Sequence, residues 1–165
     1  MKDITKDFKE WANQYVDIPF MNTDSDKVII FTVVGKPRAK QRPRLTKSGH
    51  AYTPQETINY ENWVKQCFLD QCEGQRMLED ELVAELVAIY PIPKSKSKRV
   101  KEEMEQDNIR PTSKPDLDNI AKSILDALNG IAYQDDSQIV KLSVEKKYGD
   151  EPMVKVKIYE RNSID

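Results

Sequence analysis

The sequence predicts one domain of the α/β (α+β) class, a single mixed β-sheet of about four strands with helices packed on it. Three observations lead there. Two apolar strand-like runs flank a helix-like segment, a second amphipathic helix follows them, and two alternating strands close the chain. At 165 residues the length suits one domain, and 38% hydrophobic against 33% charged residues is a globular balance rather than a disordered one.

Phe8, Trp11, Ala12 and Tyr15 recur at helical spacing and predict a short amphipathic helix over Asp7 to Tyr15, with Met21 to Lys27 as a linker. Residues 1–27 are therefore expected to be an extension, and residues 28–165 the main domain. Val28 to Val34 is rich in β-branched residues and ends at Gly35, which predicts a buried strand. After it, Pro37 and Pro43 break regular pairing, so the basic segment reads as a loop or irregular arm. Thr53, Pro54 and Glu56 read as a capping box opening a helix that runs to about Cys72, with Ile58, Val64, Cys67 and Phe68 on its apolar side, Trp63 beside them, and Gly74 ending it.

Leu82 to Ile92 mixes helix-favouring residues with the length and proline stop of a strand, and strand is the reading adopted. Ser95 to Glu105 reads as a short exposed helix or a disordered arm. The next helix should begin near Asp116 to Asn119 and end at Asn129 and Gly130, burying Leu117, Ile120, Ala121, Ile124, Leu125 and Leu128. Val140, Leu142 and Val144, then Val154, Val156 and Ile158, alternate with polar residues and predict an antiparallel hairpin with one solvated face.

No apolar run approaches the roughly 20 residues that span a bilayer. The start, MKDITKDFKE, is too charged for a secretory signal, so a cytoplasmic protein is expected, with no membrane partner. Cys67 and Cys72 read as core or half-buried thiols. One histidine, His50 in a Ser-Gly-His-Ala turn, leaves little support for a zinc site or a Ser/His/Asp triad.

The net charge of −2 hides an uneven distribution. Lys36, Arg38, Lys40, Arg42, Arg44 and Lys47 stand within KPRAKQRPRLTK with no acid among them, a candidate phosphate-binding arm or, more plainly, a solvated loop. A lesser run, Lys94 to Lys101, follows the second predicted strand. Acids pair in the segment KPDLDNIAKSILDALNGIAYQDDSQ, as Asp116 with Asp118 and as Asp135 with Asp136. Close carboxylates repel unless a cation or proton compensates, and oxygen-only donors suit Mg²⁺ or Mn²⁺. Each pair also has a plain reading, a helix cap for the first and a solvated turn for the second. Lys122, one turn beyond Asp118, is either a surface ion-pair partner or a cation for a phosphate. An EF-hand is excluded, because Ala121 and Ala127 stand where its glycine and glutamate belong.

KPDLDNIAKSILDALNGIAYQDDSQIVKL resembles the signature of the RusA family of Holliday junction resolvases: a D-x-D-N, a lysine on the following helix, a D-A-L and a D-D-x-Q-[IV]. GKPRAKQRPR and the YTP helix start are also similar to bacterial and prophage members. The resemblance implies a RusA-like fold and an endodeoxyribonuclease that cuts four-way junctions with paired nicks. It implies Mg²⁺, with Mn²⁺ as a substitute, no organic cofactor, and a homodimer. By position, Asp116, Asp118 and Asp136 correspond to the metal-binding carboxylates and Lys122 to the catalytic lysine, and Asp135, the adjacent member of the pair, is expected among the metal ligands as well. Lys36 to Lys47 and Lys114 would then contact DNA. The chain departs from shorter members in its N-terminal extension, in a charged insertion from Lys94 to Arg110, and in having Lys114 and Pro115 before the first Asp. Two competing functions are a junction-binding module without cleavage and a Mg²⁺ nuclease for flaps or RNA.

Overall fold

Along the chain come β1 (Val28–Val34), β2 (Arg44–Leu45), β3 (Ala51–Tyr52), α1 (Gln55–Gln71), β4 (Leu82–Pro91), α2 (Lys98–Glu105), α3 (Leu117–Leu128), a 3₁₀ turn (Asp136–Gln138), β5 (Ile139–Gly149) and β6 (Met153–Glu160). This computed structural model describes residues 27–161, so the helix expected over Asp7 to Tyr15 and its linker lie outside the described residues. The class is α+β, as the sequence predicts, with one mixed four-stranded sheet in the order β1-β6-β4-β5.

β4 reads as a nearly unbroken apolar run because it lies between two strands with both faces largely buried. α1 and α3 cover one face of the sheet. Ile29, Phe31, Leu86, Val156 and Ile158 meet Val64 and Phe68 of α1 and Ile120 and Ile124 of α3 in one core. Phe31 and Phe68 touch edge to face, ring centres 5.6 Å apart. Cys67 and Cys72 are free thiols, buried and half-buried respectively. No helix among the described residues is long and apolar enough to cross a membrane.

Several expectations are corrected. β5 and β6 do not form a hairpin, because β4 stands between them: β4 pairs parallel with β5 and antiparallel with β6. Alternation along a strand reports which face is apolar, not which strand lies alongside. The link between β5 and β6 passes the end of β4, and a Cβ at Gly149 would lie 2.7 Å from Ile89 Cγ2, so only glycine fits there unstrained. α1 starts from Pro54 with no side-chain cap; Thr53 is not its N-cap, and Glu56 instead accepts from the Gln41 amide. Ile58 and Leu117 are exposed. The inward positions of α1 are Thr57, Tyr60 and Val64, which turn Ile58 aside, and Leu117 precedes the turn at which α3 becomes buried. Within the basic segment, Arg44 and Leu45 pair with Tyr52 and Ala51 around a turn at Gly49, whose φ of 83° suits glycine. The segment from Lys98 is helical, with Met104 buried.

The two sheet edges differ. At β1, the Gln71 amide donates to Thr32 O (2.7 Å) and accepts from Thr32 N–H (2.9 Å), and Trp63 Nε1 donates to Val34 O (2.7 Å). Side chains of α1 thus occupy groups that a further strand would use. At the β5 edge, Val140 and Leu142 are 54% and 47% exposed.

Candidate active site

Between β1 and β2 the chain forms the irregular arm that its prolines predict, and hydrogen bonds fasten it to both core helices. Lys40 N–H donates to Asn119 O (3.1 Å), Ser123 Oγ donates to Arg38 O (2.7 Å), and Gln41 N–H donates to Thr57 Oγ1 (3.3 Å). Ser123 is buried at that contact, so a hydroxyl inside α3 satisfies a backbone carbonyl of the arm. The arm and the start of α3 enclose a cleft of about 540 Å³. Lys36, Arg38, Lys40, Arg42 and Lys114 line it, together with Asp116 and Asn119. Five of the seven expected DNA-binding cations therefore face one cleft. Arg44, in β2, and Lys47, in the following turn, are not part of its lining.

Asp116 takes the N-cap position of α3, with extended backbone (φ −73°, ψ 154°), yet its side chain makes no cap hydrogen bond. Its carboxylate is left for the cleft, so capping does not account for it. Asp118 and Lys122 follow on the same helix face, both exposed. Neither makes an ion pair among the described residues, so the plain surface pair is not formed.

The second acidic pair is placed by the end of α3. Gly130, with φ 75°, donates to Tyr133 O (2.8 Å), and Tyr133 is fully buried with its hydroxyl donating to Leu125 O (2.7 Å). The chain is thereby folded back against α3. Asp135 caps the 3₁₀ turn: its carboxylate accepts from the Ser137 hydroxyl and backbone N–H, while Gln138 Oε1 accepts from Asp135 N–H. Those bonds from Ser137 hold the Asp135 carboxyl below its ordinary range. Asp136 points the other way and shares a hydrogen bond with Asp126, so one acid of the pair builds the turn and the other meets the helix. Burial raises the Asp136 carboxyl, and the hydrogen bond to Asp126 and the charges on Asp126 and Asp135 raise it further.

Asp126 is the residue that sequence reasoning left out of the site. Its signal was its register, since Asp118, Lys122 and Asp126 recur every four residues along one face. It also accepts an ion pair from Lys40 (2.6 Å), which reaches Glu61 of α1 as well (2.9 Å). Burial alone would lower the Lys40 ammonium, but bonding to Asp126 and Glu61 raises it overall.

Asp126 stands eight residues beyond Asp118, about 12 Å along the helix axis. The acids thus lie in two places, Asp116 and Asp118 at the start of α3 and the Asp126–Asp136 pair two turns on, with Lys122 between them in sequence. Among the described residues no group of three or more His, Cys, Asp or Glu side chains is gathered to hold a metal ion. The donor chemistry fits a hard divalent ion nonetheless: all the acids offer oxygen, and two carboxyls in contact need a proton or a cation between them.

Over residues 34–159 the sequence matches the family described as Endodeoxyribonuclease RusA. The chain belongs to the RusA family. Its members are endodeoxyribonucleases, hydrolases acting on DNA, and the match runs from the end of β1 into β6, so the arm, α3 and the returning turn all lie within it. The chain is also 39% identical over 137 residues to the uncharacterized protein YqaN of Bacillus subtilis (strain 168), covering 80% of this chain and 96% of that protein.

Proposed function

We propose that this RusA-family chain resolves four-way DNA junctions as a cytoplasmic homodimer, making paired symmetric nicks with Mg²⁺ as cofactor and Mn²⁺ as a substitute. The observation that carries the reading is the cation-lined cleft that ends on Asp116 at the start of α3. Lys36, Arg38, Arg42 and Lys114 hold the phosphate backbone there, an attraction that weakens steeply with salt. The ligands assigned to the metal fall in two groups, Asp116 with Asp118 at the start of α3 and Asp136 beside Asp126, and Asp135 supports the second by fixing the turn that carries Asp136. When bound, the ion supplies a polarised water and a positive field at the phosphate. Lys122, exposed and without an ion pair among the described residues, is free to neutralise charge on the phosphate.

Two equivalent strands of a junction call for two equivalent sites, which a two-fold dimer provides. The β5 edge supports that assembly. Apolar Val140 and Leu142 are exposed there, whereas α1 side chains occupy the β1 edge.

The test compares a mobile four-way junction, a flap, linear duplex and single-stranded RNA in Mg²⁺, Ca²⁺ and EDTA. Junction nicking in Mg²⁺ with binding alone in EDTA is expected. Asp118→Asn should slow nicking by on the order of 10²-fold or more while junction binding persists. Equal cutting of flap or RNA would redirect the substrate, and junction binding without any cutting by the parent protein would make it a binding module.

A further inference from the structure

Lys40 belongs by sequence to the cationic arm, but its surroundings differ from those of its neighbours. Its ammonium lies 2.6 Å from Asp126 Oδ2 and 2.9 Å from Glu61 Oε1, and its side chain is only 27% exposed. Arg38 and Arg42, two residues to either side, are exposed and make no ion pair among the described residues. Its charge is already offset by Asp126, to which it donates, and by Glu61, so the trio carries net negative charge and offers a phosphate no free cation. The backbone N–H of Lys40 donates to Asn119 O, which ties both ends of the residue to α3.

Beyond Asp126 stands Asp136, hydrogen-bonded to it. Glu61, Lys40, Asp126 and Asp136 therefore form one line drawn from α1, the arm, α3 and the 3₁₀ turn. Three acids in such a line repel one another, and Lys40 is the cation seated among them. It fixes the direction of the Asp126 carboxylate and offsets its charge, which lets a second carboxyl approach. We propose that Lys40 is a positioning residue that seats Asp136 against α3 through Asp126, and that it does not contact DNA phosphate.

This inference rests on the endonuclease reading, and the experiment separates the two. Lys40→Met, Lys40→Arg and Arg38→Met are made in the full chain, and junction affinity is measured in EDTA over a series of salt concentrations. Arg38→Met should flatten the slope of log affinity against log salt by about 0.9, the loss of one phosphate contact, while Lys40→Met keeps the parental slope. On saturating junction in Mg²⁺, Lys40→Met should nick slower by on the order of tenfold or more at unchanged affinity, with part of the rate restored in Lys40→Arg, whose guanidinium can bridge two carboxylates. Asp126→Ala removes the carboxylate that both Lys40 and Asp136 meet and so breaks the same link from the other side, which decides the matter if Lys40→Met does not fold. A flattened slope in Lys40→Met, or a parental nicking rate in Lys40→Met or in Asp126→Ala, overturns the inference. If the parent protein does not nick, the endonuclease reading fails, and the salt slopes still decide whether Lys40 touches phosphate.

Discussion

Lys157 lies on β6 between core residues Val156 and Ile158, so alternation turns it to the sheet face away from α1 and α3. Its ammonium is 3.8 Å from Glu85 and 4.8 Å from the centre of the Tyr159 ring, and its side chain is 8% exposed. Burial lowers its pKa from 10.5, against the opposing pull of Glu85. Between that lowered value and 10.5 the unfolded chain binds the proton that the folded chain has shed, so this group makes stability rise with pH through the window. The rise is read as a difference, because burial raises the Cys67, Cys72, Tyr60, Tyr90 and Tyr159 groups and these lose stability over the same range. In urea unfolding at pH 7, 9 and 10 the parent should hold its stability better with rising pH than Lys157→Met, by less than the one-proton ceiling of about 1.4 kcal/mol per pH unit. Identical profiles would show that the ammonium is not buried. The same scale separates the acids of the candidate site. Asp116 and Asp135 both precede helical turns and share one local pattern, yet Asp135 caps its turn and Asp116 does not. What lies opposite each carboxylate decides this, and the Asp–x–helix pattern carries no record of it.

Among the elements, periodicity was the readable quantity. β1, β4, α1 and α3 lie where runs of β-branched residues, proline stops and three-to-four spacing place them, because those signals depend only on residues a turn or two apart. Strand partners were not readable in this way. β5 and β6 are consecutive and have opposite directions, which suggests a hairpin, but each instead takes a side of β4. Gly149 marks the difference, since its Cα passes close to Ile89 at the end of that strand. Gly149→Ala would press a methyl onto the branched Cγ2 of Ile89, which cannot swing away as a longer side chain can. A loss of roughly 1–3 kcal/mol is expected in chemical denaturation. A loss below about 0.5 kcal/mol would mean that the link has room, as at an ordinary surface position.

For the whole molecule, the exposed apolar residues of β5 bear on the proposed dimer. Leu142→Lys puts a charge on the exposed apolar edge and should move the protein from dimer to monomer by light scattering, with single nicks replacing paired ones on a junction. A parental dimer in that variant would place the interface elsewhere. By itself, the sequence determined the α+β class, the segments of β1, β4, β5, β6, α1 and α3, the acid-free cationic run and the two acidic pairs, all of which are local patterns. Only the tertiary structure decided that the arm and the start of α3 form one cleft, that Asp136 meets Asp126, and that Lys40 is spent on an ion pair. Lys40 and Asp126 are 86 residues apart, and their contact exists because α1 and α3 pack side by side on one sheet face and hold the arm against them. No spacing along the chain encodes which buried surfaces will meet.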